Sequence, residues 1–301
     1  MTQTKSKGRR LVILFGILIA LGLCGFGVYW QFSSDAEMPV ISMAAERIPI
    51  PLPLPGFDEG PPNTLPTAIL TAIVLVLVGL LYSRARRRAA RTGEQSRFLV
   101  AVDAIFEAVY SFAENVAGEH TRHFFPLAAT FFFFILVANW TGLLPGFGSF
   151  GIWELHDGEP ELIPLFRGAN ADLSTTLALA LISVIAVQYF GLRFQGLPYL
   201  RKFFNFSAPP DSGSLRPVIA IANGAAGLLE IISEVSKVFS FAFRLFGNIF
   251  AGEVLLIVVS FLAAFVATIP FMGLELFVGL IQALVFAMLS LVFYTMATHH
   301  H

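Results

Sequence analysis

Arg244 stands in SEVSKVFSFAFRLFGNIFAGEVLLIVVSF, with apolar sequence on both sides long enough to lie in lipid. A guanidinium stays cationic at any biological pH, so at membrane depth it requires an anionic partner or a wet cavity. Placing such a charge at the centre of a bilayer costs about 2.5 to 3.5 kcal/mol on insertion scales. Between 217 and 298 the chain carries Glu230, Glu234, Lys237, Arg244, Glu253 and Glu275. One intramembrane charge can be incidental, whereas this set reads as the lining of a polar path.

At about 100° per residue, Glu230, Lys237 and Asn248 fall within about 40° of Arg244 on a helix, and Glu234 within about 80°. They form one polar stripe. Gly247 and Ala251 lie on or beside the same face, so another helix is able to approach the arginine closely. Glu253 points about 180° away, toward the helix that follows, where Glu275 and Gln282 are seven residues apart and share a face. Simpler readings remain open. Glu234 and Lys237 are three apart and are able to neutralise each other, and Glu230 is a second counter-charge for Lys237. An ion pair with Glu253 or Glu275 would account for Arg244, and Asn248 and Gln282 would serve as interhelical hydrogen-bond glue.

The elements that position these residues are membrane helices. The chain is 56% hydrophobic and 13% charged, with 32 Phe in 301 residues and a mean hydropathy of +0.76. Soluble domains carry about 25% charged residues. After the basic start at 1–10, residues 11–30 are expected to be an uncleaved anchor, with a signal sequence as the rival. Proline-rich IPIPLPLPG and DEGPPN make 31–64 an extended external connector. A span over about 65–83 ends at Arg84, Arg86, Arg87, Arg88, Arg91 and Arg97, a cytoplasmic flank by the positive-inside rule. Residues 98–118 place Asp103, Glu107 and Glu114 among apolar positions and predict an amphipathic helix on the membrane surface.

A span over about 124–144 leads to an acidic outside loop, 145–170, holding Glu154, Asp157, Glu159, Glu161 and Arg167. Asn139, Trp140 and Thr141 match a glycosylation sequon, but at the membrane edge they read as interface chemistry with Trp140 as a belt residue. The fourth span, about 171–192, returns to Arg193, Arg201 and Lys202. About 80 residues remain in 217–298, too many for two upright helices and suited to long tilted ones. The expected fold is therefore all-α and polytopic, with upright spans, a surface amphipathic helix and a C-terminal hairpin of long tilted membrane helices. A lone Cys24 excludes a disulfide framework within the chain. No composition feature favours a nucleic-acid partner, and no phosphate-binding GxxxxGK[ST] occurs. His120, His123, His156 and the closing His299, His300 and His301 lie outside apolar spans, so no cofactor and no resident metal centre are expected.

RLFGNIFAGE at 244–253, with LLEIISEVSK before it and IQALVFAMLSLVF after it, resembles subunit a of the F-type ATP synthase. FFPLAATFFFFILVANWTGLLPG and ANADLSTTLALAL extend the resemblance over about 60–298, so 65–298 is expected to be the family's proton-channel domain. The resemblance implies a multi-pass protein of the bacterial plasma (inner) membrane. It implies a stator that lies against a rotating ring of subunit c, with peripheral-stalk subunit b, the rest of the complex and the lipid bilayer as further partners. Two offset half-channels would carry protons, and the family's essential arginine falls on Arg244. Asn248, Glu253, Glu275 and Gln282 match polar positions of the path open to the outside. Glu230 matches a carboxylate on the cytoplasmic side, where Ser233 and Ser240 are weaker candidates. Such a subunit is not catalytic by itself, since nucleotide chemistry belongs to a soluble head.

The mechanism so implied follows from charge. A ring carboxylate crossing lipid travels protonated, because the ionised form is very costly there. It ionises where a permanent cation waits, and an arginine that cannot relay a proton also blocks direct hopping between the half-channels. Glu253 and Glu275 are expected to face each other in the outer path, to titrate jointly and to take up a divalent cation from outside. Two other classes of function stand beside it: a secondary transporter with intramembrane ionisable residues, which inverted repeats would favour though no self-similar halves are present, and an intramembrane hydrolase, which would need a nucleophile with a base or a metal cluster in an apolar span.

Overall fold

A computed structural model describes residues 43–49, 60–144, 147, 150–156, 159–203 and 216–298. The expected anchor at 11–30, Cys24 and the closing histidines lie outside the described residues. Helices carry the fold: α1 (Thr64–Thr92), α2 (Arg97–Ala117), α3 (Thr121–Gly142), α4 (Leu173–Gln195) and α5 (Arg216–Thr298). Among the described residues, 64–92, 97–142, 173–195, 218–262 and 268–298 are long and apolar enough to cross a membrane. The protein is an all-α polytopic membrane protein.

α1 is longer than the expected 65–83. Arg and Ala are strong helix formers, so the arginines continue the helix instead of ending it. It stops where Gly93 turns left-handed at φ 73, donating its N–H to the carbonyl of Ala89. Before α1, the N–H of Ile48 bonds to Pro61 and that of Asn63 to Glu46, which ties part of the connector to the start of the helix.

α2 begins at Ser96, whose hydroxyl accepts from the N–H of Leu99 at 3.2 Å. Its Asp103, Glu107 and Glu114 are exposed, and Tyr82 of α1 donates to Asp103 at 2.6 Å. Phe106 meets Phe133, and Tyr110 meets Phe125, both with centroids 4.9 Å apart, so α2 folds back against α3. The loop expected at 145–170 contains an antiparallel hairpin, β1 (Gly151–His156) with β2 (Glu159–Pro164), in which Gly151 is opposite Pro164.

Asp172 starts α4 by accepting the N–H of Ser174 at 2.9 Å. α4 runs antiparallel to α3, with Phe124 beside Phe190 at one end and Asn139 bonded to Asn170 at the other. Straight, the 83 residues of α5 would stretch about 125 Å. Instead the helix doubles back near 263–267: Phe241 lies 5.0 Å from Phe286, and Ser260 bonds to Thr268 at 3.1 Å. This is the expected C-terminal hairpin.

Water does not drive helix association inside lipid, so close packing has to. Ala180, Ala242 and Ala283 are fully buried where α3, α4 and the α5 limbs meet, beside Phe131, Phe132, Ile135 and Leu245. A second cluster holds Phe124, Phe190 and Tyr294. The bundle thus has two ends. Asn139, Arg167, Asp172, Gly252, Glu275 and Gly279 gather at one; Gln195, Lys202, Glu230, Glu234, Lys237 and Ala297 gather at the other.

Candidate functional site

Arg244 lies between the two ends, on the first limb of α5, and it is exposed. Among the described residues it makes no ion pair and no hydrogen bond, so an internal ion pair with Glu253 or Glu275 is not formed. Gly247, Asn248 and Ala251 are exposed beside it, as are Ser240, Val235, Phe239 and Phe243. A Cβ at Gly247 would meet nothing within 4 Å. Asn248 forms no side-chain hydrogen bond among the described residues, and neither does half-buried Gln282, so neither acts as glue between the described helices.

The polar stripe read from the sequence divides. Around Arg244 it faces outward, whereas its earlier part turns into the protein. Glu234 is buried, and its Oε1 accepts from Lys202 and Lys237, each at 3.0 Å. Lys202 also reaches Glu230 at 3.4 Å. The intrahelical Glu234–Lys237 pair is real, but the counter-charge for Glu230 is Lys202, a residue the sequence offers only as a topology marker. The Lys202 ammonium sits over the rings of Tyr199 and Phe203, and that of Lys237 over Phe293. The division has a packing cause: the returning limb covers Lys237, and the turn Leu197–Lys202 covers Glu234. Glu230, Glu234, Lys237 and Lys202 line a cavity of about 450 Å³ with Arg201 and Gln195. Ser233 is exposed and outside that lining.

Burial alone would lower the Lys202 ammonium, but hydrogen bonds with Tyr199 and Glu234 and the Glu234 charge outweigh it and hold the group above the usual lysine value. Burial pushes the Tyr199 phenol up. Lys202 therefore stays cationic at working pH.

At the opposite end Glu253 forms no hydrogen bond with Glu275 among the described residues. Both its oxygens are taken by Arg167, with Nε–Oε1 at 3.0 Å and Nη2–Oε2 at 3.0 Å. The expectation placed Arg167 among loop charges; the loop instead folds onto the hairpin and delivers it. Glu275 is buried against Gly252 and forms no hydrogen bond or ion pair among the described residues.

A buried polar seam lies beside this end that sequence reasoning missed. Asn170 donates to Asn139 at 2.7 Å, and Asn139 donates to the carbonyl of Gly279 at 3.1 Å. Thr64 donates to Asp172 at 3.0 Å. Asn63, Thr67 and Asn170 keep buried polar atoms without protein partners, a pattern that calls for ordered water. Asn139 is thus unavailable as a sugar acceptor, and Trp140 donates to Leu276 at 3.1 Å. Polar residues flanking apolar runs were the available signal.

A family model described as ATP synthase A chain matches residues 67–295, from the first turn of α1 into the closing limb of α5. The chain is 34% identical over 230 residues to an ATP synthase subunit a of Syntrophobacter fumaroxidans, covering 76% of this chain and 82% of the relative. It is 30% identical over 252 residues to an ATP synthase subunit a of Moorella thermoacetica, covering 83% of this chain and 98% of that one. The match takes in both polar ends and the exposed arginine between them, and the chain belongs to the ATP synthase A chain family.

Proposed function

We propose that the chain is the proton-carrying stator of an ATP synthase membrane sector in a bacterial inner membrane, offering two offset half-channels to a rotating ring of subunit c. The observation that carries this reading is the exposed, unpaired Arg244 set between two separate polar ends. A free guanidinium on a lipid-facing surface is costly; a ring carboxylate passing it would supply the missing anion. Exposed Gly247 and Ala251 leave room for that close approach.

In this reading protons enter from outside by way of Glu275, Glu253, Gln282 and Asn248. They leave on the cytoplasmic side past Glu230 and the Lys202–Glu234–Lys237 cluster, with Ser240 between. The ring carboxylate is protonated while it faces lipid and ionises opposite Arg244, which itself passes no proton. Subunit b and the remaining subunits hold the chain against rotation, and bond making at the nucleotide belongs to a soluble head and not to this chain.

The test is proton flux in vesicles carrying the assembled complex. Arg244→Ala is expected to abolish both ATP-driven pumping and proton-driven synthesis while the subunit stays in the membrane. Arg244→Lys should also be severely impaired, because a desolvated ammonium is able to lose its proton. Normal synthesis by the lysine variant would refute the need for a permanent cation.

A further inference from the structure

A second arginine acts on one of the outer carboxylates, and it comes from the loop. Arg167 lies 86 residues before Glu253, and its side chain is only 9% exposed. Its Nε is 3.0 Å and 3.2 Å from the two carboxylate oxygens, and its Nη2 is 3.0 Å from Oε2. Nη1 donates to the carbonyl of Ala44 at 3.1 Å, and the backbone N–H donates to that of Asn63 at 3.3 Å. The guanidinium also stands 6.0 Å from the Phe250 ring centroid. Several segments therefore hold the fork in place besides its carboxylate. Forked arginine–carboxylate pairs of this geometry are among the strong charge-assisted contacts.

Glu275 is in a different situation. It packs against Gly252, the residue next to Glu253, yet it has no hydrogen bond or ion pair among the described residues. Glu253 is thus held from the loop side, and Glu275, packed against Gly252, is not.

We propose that Arg167 is a positioning residue of the outer proton path, holding Glu253 toward the loop and leaving Glu275 as the carboxylate that exchanges protons with the ring. This rests on the assignment of both carboxylates to that path. Arg167 also denies the pair to divalent cations. It fills both oxygens of Glu253 and puts a positive charge beside the carboxylates that a metal ion would need. Without it, the Glu253 carboxylate would be left with no cation among the described residues.

The experiment uses the complete ATP synthase in vesicles with the outer face toward the medium, and Zn²⁺ alone is titrated into that medium while flux per assembled complex is recorded. Arg167→Gln is expected to lower flux several-fold and to bring half-inhibition to an at least tenfold lower Zn²⁺ concentration. Arg167→Lys, which keeps the charge, should stay near the parent in its metal response. Adding Glu253→Gln to Arg167→Gln should remove the gained sensitivity. A Zn²⁺ response in Arg167→Gln equal to that of the parent would overturn the proposal, as would sensitivity that persists in the double variant. Loss of assembled complex with an unchanged response per complex would also overturn it, by reducing Arg167 to a structural role. Failure of the underlying path assignment is visible separately, as normal flux in Glu275→Gln.

Discussion

The carboxyl group of Glu275 fills the space in which residue 252 would carry a Cβ, and Gly252 leaves that space open. The two residues face each other across the α5 hairpin. The neighbour a methyl group would strike is the far end of a flexible side chain and not backbone, so the carboxylate would move while the helices stay.

Gly252→Ala is therefore expected to preserve assembly, with a thermal midpoint unchanged or slightly raised, since Ala is favoured over Gly in a helix by about 1 kcal/mol. Proton flux should fall several-fold because Glu275 is displaced. Glu275→Asp in the same chain shortens the side chain and should recover part of the loss. Flux in Gly252→Ala vesicles equal to that of the parent would show that the position of Glu275 is unimportant.

Lys202 joins the turn after α4 to Glu230 and Glu234. Lys202→Met leaves Glu234 with one cation, and should cost about 1 to 3 kcal/mol of stability for the lost charged contact. The sign of its pH dependence follows from a folded-state value above the ordinary 10.5. Stability from such a group is complete below the ordinary value and is lost as pH rises through the folded one. The midpoint difference between parent and variant should be constant from about pH 7 to 9 and shrink above about pH 10.5. A difference that is undiminished well above about pH 10.5 would contradict the assignment.

Asn139 links α3 to the closing limb and to Asn170 in one buried network. Asn139→Ala leaves the Asn170 amide only its 3.5 Å contact with the Ile135 carbonyl and takes the donor away from the Gly279 carbonyl, and about 1 to 3 kcal/mol should be lost, read as a lowered midpoint of the detergent-solubilised protein. Asn139→Gln retains the chemistry but not the fit, and should be intermediate at best. An unchanged midpoint in the alanine variant would mean that water replaces the side chain without cost.

Orientation is open to a direct check. With Cys24 replaced by Ser, a single cysteine at position 157 should react with an impermeant thiol reagent applied outside intact cells, and one at position 90 should not. The charge asymmetry between the acidic segment around Glu154 and Glu161 and the basic one from Arg84 to Arg97 motivates this expectation. The opposite labelling pattern would invert the topology and exchange the two sides of the proposed proton path.

Hydropathy and charge runs along the chain determined the spans from about residue 65 onward, the hairpin at the C-terminus, the surroundings of Arg244 and the family motif at 244–253, because each depends on neighbours within a turn or two of helix. Helical arithmetic also put Arg244, Asn248, Gly247 and Ala251 on one face, and the structure leaves that face open. It failed for Glu234, which the same arithmetic set near that stripe and which packing turned inward. Arg167 and Lys202 looked like ordinary loop charges, yet they meet carboxylates 86 and 32 residues away. The tertiary structure decided those partnerships, since an ion pair between distant segments depends on how helices cross and where a connecting loop lands. The same holds for Gly252 and Glu275: their contact exists only because α5 doubles back, and nothing in either residue's local sequence encodes the other's position.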